Sequence, residues 1–190
     1  MQSRQTIQAV VGEFRLTLET DPSLFSPRKP DPGTLALLSA VEFTEDDRIL
    51  DLGCGYGLVG IYAARKIGVG QVTLADIDPL AVHLAKRNAA NNHCAGLTAI
   101  VSDGFRHISE NRFTKILCNP PYHSDFSTPK QFIEKGFNRL VLGGQMWFVT
   151  KRKTWYARKF TSIFGGVSID ECNNYFIFKA IKRSHAYSRD

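Results

Sequence analysis

A chain of 190 residues, 43% hydrophobic and 22% charged, is long enough to bury one α/β core, and we expect a single domain over 1–190. It holds no apolar run near the roughly 18 residues of a membrane span, and its start, MQSRQTIQAVVGEF, lacks the apolar region of a secretory signal, so a cytoplasmic protein without membrane contact is expected. The four cysteines, Cys54, Cys94, Cys118 and Cys172, are widely spaced with no C-x-x-C pair, which argues against a zinc site or disulfide framework, and the net charge of +6 lies entirely in the last forty residues, where 9 Lys+Arg face 3 Asp+Glu.

In chain order, Thr6–Val11 and Glu13–Leu18 alternate around Gly12 and predict a hairpin. A loop rich in Pro and Ser follows. Asp31 then caps a helix with Pro32 at its first position, and Leu35, Leu38 and Val41 form its buried face. Apolar runs next alternate with helical periods, the pattern of a mostly parallel sheet with helices on both faces. Arg48–Asp51 is the first central strand, Gly57–Ile67 a helix stopped by Gly68, and Gln71–Ala75 the second strand. Pro79–Asn91 is a helix with a Leu80/Leu84 and an Ala81/Ala85/Ala89 stripe, Leu97–Val101 the third strand, and Lys115–Cys118 a short buried fourth. Pro129–Leu142 is expected to be a helix, with Ile133, Phe137, Leu140 and Val141 on one face and Gly143-Gly144 ending it. Gln145–Thr150 is the fifth strand and Trp155–Phe164 a last helix. Val167–Cys172 and Tyr175–Lys182 flank Asn173-Asn174 as an antiparallel hairpin.

Chemistry concentrates after the strands. Asp51-Leu52-Gly53-Cys54-Gly55-Tyr56-Gly57 joins the first strand to a helix, and its glycines allow a tight turn and close ligand approach. Gly55–Gly60 also matches the dinucleotide pattern G-x-G-x-x-G, with an acid further on at Asp76. A carboxylate at Asp51, entering the turn, would repel a pyrophosphate but attract the ammonium of an amino-acid zwitterion, whose carboxylate the helix N-terminus can hold. A methionine-derived methyl donor is therefore the preferred ligand over a dinucleotide. Asp76, ending the second strand, can accept from both ribose hydroxyls. Asp78 is expected to cap the following helix. Asp103 can accept from an adenine amino group or simply shape the Ser102-Asp103-Gly104 turn.

Asn119-Pro120-Pro121-Tyr122 follows the fourth strand. Two prolines stiffen this loop and orient its carbonyls. Asn119 and the Pro120 carbonyl can both accept from an –NH2 group while Tyr122 stacks on the plane that bears it. Holding both N–H groups localises a lone pair otherwise delocalised into a ring or carbonyl, so positioning and fixed dipoles suffice without a strong base or a metal. His123 can help shape the target pocket, and Cys118, on a buried strand, is read as core rather than nucleophile.

With these motifs in place the chain resembles the class I S-adenosylmethionine-dependent methyltransferases, and more narrowly the small-subunit ribosomal RNA guanine-N2 methyltransferases. The resemblance spans roughly residues 14–183. It is carried by Thr20–Ser26, DLGCGYGLVGIYAA from Asp51, Ala75-Asp76-Ile77-Asp78, Ser102-Asp103-Gly104-Phe105 and CNPPYH from Cys118. It implies a Rossmann-like α/β fold with a seven-stranded sheet in the order 3-2-1-4-5-7-6, strand 7 antiparallel, and S-adenosylmethionine as cofactor. It implies cofactor contacts from Asp51, Gly53, Cys54, Gly55, Gly57, Asp76, Ile77, Asp103, Gly104 and Asn119, with Phe25 covering the ligand from outside. Residues 1–30 would then be hairpin and cofactor cover, and 31–190 the catalytic core. Better-known members carry a second, degenerate copy of the domain, and Asn-Pro-Pro-Tyr is shared with enzymes acting on glutamine amides and adenine N6.

The basic end bears on the target. Lys151-Arg152-Lys153 follows the fifth strand, on the edge where open α/β sheets bind ligands. Trp155, Tyr156, Arg158 and Lys159 come next. Basic residues interleaved with aromatics suit a folded RNA, through phosphate contacts and stacking. Ribosomal RNA or a ribosomal subunit is therefore the expected partner. Adenine N6 or a protein glutamine amide stays open as target, and a dinucleotide-dependent oxidoreductase or a noncatalytic binding module as the reading from another class.

Overall fold

The computed structural model describes residues 4–120 and 126–188. Strands β1 (Gln5–Val11) and β2 (Phe14–Thr20) form the hairpin, turning at Gly12 with φ +54°. Helix α1 (Pro32–Ala40) follows. The core then runs β3 (Ile49–Leu52), α2 (Leu58–Ile67), β4 (Val72–Asp76), α3 (Pro79–Asn91), β5 (Thr98–Val101) and β6 (Phe113–Cys118). It closes with α4 (Ser127–Arg139), β7 (Leu140–Thr150), α5 (Thr154–Phe164), β8 (Ser168–Cys172) and β9 (Tyr175–Ile181).

The seven core strands lie in the order β5-β4-β3-β6-β7-β9-β8. Counted from β3, this is the expected 3-2-1-4-5-7-6. The pairs among β3 to β7 are parallel, and β9 runs antiparallel to both neighbours. Side chains alternate across the strands and divide the core in two. Ile49, Leu74, Leu117, Val149 and Ile177 face a cluster with the hairpin, α1, α2 and α3. Leu50, Ala75, Ile116, Phe148 and Phe178 face one built on α4 and α5, through Ile133, Phe137, Tyr156 and Phe160. Burial on both faces explains why these strands read as apolar runs rather than alternations.

The hairpin docks through two asparagines four residues apart, Asn88 on α3 and Asn92 at its C-cap. Asn92 exchanges two hydrogen bonds with the backbone of Thr17, and Asn88 exchanges two with Glu19. Their amides thus pair with the edge of β2 as another strand would. Asn88 also donates to the Tyr56 carbonyl at 2.8 Å, tying the hairpin to the loop after β3.

Two expectations need correction. Helix α4 ends at Arg139, and Leu140–Gly144 belong to β7. Leu140 and Val141 keep helical spacing from Phe137, so periodicity alone runs the helix on. Pairing decides otherwise: Gly143 N–H donates to the Lys182 carbonyl and Lys182 N–H to that of Gly144, while the Lys182 ammonium bonds the Leu140 carbonyl. Leu142 is left exposed and Val141 half-buried. In α1, Leu35 is only partly buried, whereas Gly33, Thr34, Ala36 and Leu37 are buried with Leu38. The helix lies between sheet and hairpin and is covered on more than one side.

Candidate active site

The carboxyl ends of β3, β4, β5 and β6 open into one cavity of about 430 Å³. That volume suits a small-molecule cofactor, and its place is the usual ligand edge of an open α/β sheet. Phe25, Asp51, Gly53, Cys54, Gly55, Asp76, Ile77, Asp103, Gly104, Asn119 and Pro120 all line it. Gly57, between the lining residues Tyr56 and Leu58, does not itself line it.

The loop after β3 is stitched in place by backbone. The N–H groups of Gly53 and Cys54 both donate to the Ala75 carbonyl on β4, and Gly57 N–H donates to that of Cys54. Gly53, Gly55 and Gly57 have φ of +75°, +53° and +95°, a conformation that side chains resist. Gly60 serves packing instead: a Cβ there would stand 2.4 Å from Leu74, so a bare backbone lets α2 sit close on the sheet.

Asp51 is 3% exposed, and its Oδ2 accepts from Gly60 N–H in the first turn of α2 at 2.8 Å. Burial, opposed by that bond and reinforced by the Asp76 charge, pushes its pKa up to about 7. Such a carboxylate is poised to take a cation and consumes one of the helix-terminal N–H groups that a pyrophosphate would need. The literal G-x-G-x-x-G match is therefore a packing pattern here. Asp76 accepts from Gly55 N–H through Oδ2 and from Asp78 N–H through Oδ1, and each oxygen can accept a second bond on the cavity side. Asp78 caps α3 by accepting from Leu80 N–H. The turn carrying exposed Asp103 is held by Ser102, whose hydroxyl donates to Gly104 and accepts from His107 N–H. Phe25 is 48% and Ile77 66% exposed at the cavity rim.

Asn119 follows directly on β6 and is half-buried beside buried Pro120. Its amide nitrogen donates to the carboxylate of Asp31 and the hydroxyl of Thr34, both at 2.9 Å. Asp31 and Thr34 were legible in sequence only as a helix start. Thr128 and Phe132 of α4 also line the cavity, with no signal in the sequence to mark them. Pro121, Tyr122 and His123 lie outside the described residues. Cys54 and Cys118 are buried, and desolvation raises both thiols well above the ordinary range, which disfavours the thiolate that a nucleophile needs. Among the described residues no group of three or more His, Cys, Asp or Glu is gathered to hold a metal.

Lys151, Arg152 and Lys153 are exposed beyond β7. Each cation lies over an aromatic ring: Lys151 4.9 Å from the centre of Tyr175, Arg152 5.1 Å from Phe126 and Lys153 5.2 Å from Phe176. Trp155 stacks on Phe126 with centroids 4.3 Å apart. Tyr156, read in sequence as a stacking surface, is instead 3% exposed in the core.

Sheet order, glycine loop and acids at successive strand ends define a class I S-adenosylmethionine-dependent methyltransferase. The chain belongs to the methyltransferase small domain family, whose model matches residues 15–179. It is 35% identical over 169 residues to the ribosomal RNA small subunit methyltransferase C of Haemophilus ducreyi, covering 85% of this chain and 50% of that one. It is 30% identical over 186 residues to the uncharacterized protein YbxB of Bacillus subtilis, covering 95% of this chain and 92% of that protein. Among solved structures it is similar to the Thermus thermophilus 16S rRNA N2 G1207 methyltransferase in complex with AdoMet and guanosine. There the TM-score is 0.85 at 26% identity, over 95% of this chain and 51% of the other. The chain thus spans about half the length of the ribosomal RNA methyltransferases it matches and nearly all of YbxB.

Proposed function

We propose that this methyltransferase acts in the cytoplasm on the exocyclic N2 amino group of a guanine in ribosomal RNA, its residues 1–30 forming the hairpin and the cofactor-covering loop and 31–190 the catalytic core. The observation that carries this reading is the opening of Asn119 and Pro120 onto the same cavity as Asp51, Asp76 and Asp103. An amine held at the first pair therefore lies beside a donor held at the second set. The ribosomal RNA activity of the relatives and the guanosine in the similar solved structure support the choice of acceptor.

Asp51 would take the donor's ammonium, Asp76 its ribose hydroxyls and Asp103 its adenine edge, while Phe25 and Ile77 cover it with apolar surface. When bound, S-adenosylmethionine supplies a methyl group activated on a sulfonium. The Asn119 side-chain oxygen and the Pro120 carbonyl accept the two N–H bonds of the target amine, directing its lone pair into the cavity. Tyr122, Pro121 and His123 are assigned to the base, and Lys151, Arg152 and Lys153 to the RNA backbone.

The test is transfer of tritium from labelled methyl donor to small-subunit ribosomal RNA of cells lacking the gene, followed by nucleoside analysis. N2-methylguanosine is expected. N6-methyladenosine, or label confined to protein, would replace the acceptor.

A further inference from the structure

Asp31-Pro32-Gly33-Thr34 does more than start a helix. Asp31, 5% exposed, caps α1 by accepting from Thr34 N–H at 2.8 Å, and Pro32 fills the first helical position. The same Asp31 oxygen accepts from the Asn119 amide, and the Thr34 hydroxyl provides a second acceptor for it. Tyr175 of β9 donates its hydroxyl to the other Asp31 oxygen at 3.4 Å. Its ring lies so close to α1 that a Cβ on Gly33 would stand 2.5 Å from it. Four elements, α1, β6, β9 and the segment before α1, thus converge on one buried carboxylate.

The consequence concerns the amide's orientation. A terminal amide rotates about its last bond with little preference, so an isolated Asn119 could present either oxygen or nitrogen to the cavity. Only the oxygen can accept from an amine. We propose that Asp31 and Thr34 are positioning residues for methyl transfer: they capture the Asn119 nitrogen, turn its oxygen toward the acceptor site, and through the carboxylate's charge strengthen that oxygen as an acceptor. A charge-assisted bond at one end of an amide polarises the other. Gly33 is the space that lets Tyr175 close over the acid.

The inference rests on the proposed role of Asn119, so its experiment has an arm that needs no acceptor. Thr34→Val keeps shape and cap while removing the second acceptor. Asp31→Ser keeps a capping oxygen but cannot reach Asn119. Either change is expected to lower single-turnover methyl transfer to small-subunit ribosomal RNA about 10- to 100-fold, with the dissociation constant for S-adenosylmethionine within about 3-fold of wild type. Asp31→Asn, an equally good cap with one acceptor oxygen, should recover much of the loss. Combined with Asn119→Ala, Thr34→Val should add nothing, because the two act as a unit. Independent of any acceptor, the Asn119 side-chain amide, assigned in a nitrogen-15 spectrum by its disappearance in Asn119→Ala, should exchange slowly in wild type and faster in Thr34→Val. Multiplying effects in the double variant, or an amide signal unmoved by Thr34→Val, would overturn the assignment. If wild-type protein methylates no RNA, the proposed acceptor falls, and the amide spectrum alone decides the positioning role.

Discussion

Asp51 carries the clearest pH signature in the molecule. Its folded pKa of about 7 stands above the ordinary 3.8 because burial disfavours its charge. The folded state therefore binds more protons than the unfolded chain between those values, so stability without ligand falls as pH rises from about 4 to about 7. Asp51→Asn should flatten that fall, as thermal unfolding against pH would show. A cationic donor group favours the ionised form, so cofactor affinity should rise over the same window, and calorimetry at pH 5.5 and 7.5 would detect it. Nearby, Asn119→Ala should cut turnover by roughly 10²–10³ with cofactor affinity nearly intact, as for loss of one preorganised polar group. Equal losses in both would move Asn119 to the cofactor's side. Asp51, Asp76 and Asn119 could be picked out because each lies at or just past the end of a short apolar strand run. Asp31 and Thr34 could not, since capping explains both and the second partner lies 85 or more positions away.

Elements are held to the sheet by small, specific contacts. Gly60→Ala would drive a Cβ into Leu74, so α2 must shift, at a cost of about 1–3 kcal/mol in urea unfolding. Asn88→Ala removes the bonds joining β2, α3 and the Tyr56 carbonyl, which should cost a similar amount and also weaken cofactor binding through the glycine loop. A loss of stability with unchanged affinity would confine Asn88 to hairpin docking. Most elements were legible because helices carry a period near 3.6 and buried parallel strands are short apolar runs. The end of α4 was not. Leu140–Leu142 satisfy both patterns, and the pairing of Leu140 with Phe113 of β6 and of Gly143 and Gly144 with Lys182, just past β9, chooses between them.

The whole molecule separates two surfaces. Asp51, Asp76 and Asp103 line the cavity, while Lys151, Arg152 and Lys153 extend the sheet's carboxyl edge outward over aromatic rings. If those cations meet RNA phosphates, replacing all three by Gln should weaken binding and reduce the salt slope by about 2 to 3, since each neutralised phosphate contributes roughly 0.7–0.9. An unchanged slope would point to a protein acceptor. The partition into a balanced body and a basic end was visible in the sequence, because charge is a property of composition. Its consequence was not: Tyr156 goes to the core, and it is Phe126 that stacks on Trp155.

The sheet order was implied by the family that the motifs resemble; the chain's own order of residues determined the alternation of strands and helices, and the acids and proline loop that end the strands. These are local signals, set by backbone sterics and by the period of apolar side chains. Which way an amide faces, which carboxylate becomes hard to ionise and which aromatic stays exposed were decided only in three dimensions. Those properties depend on desolvation and on partners far apart along the chain, and no local pattern encodes them.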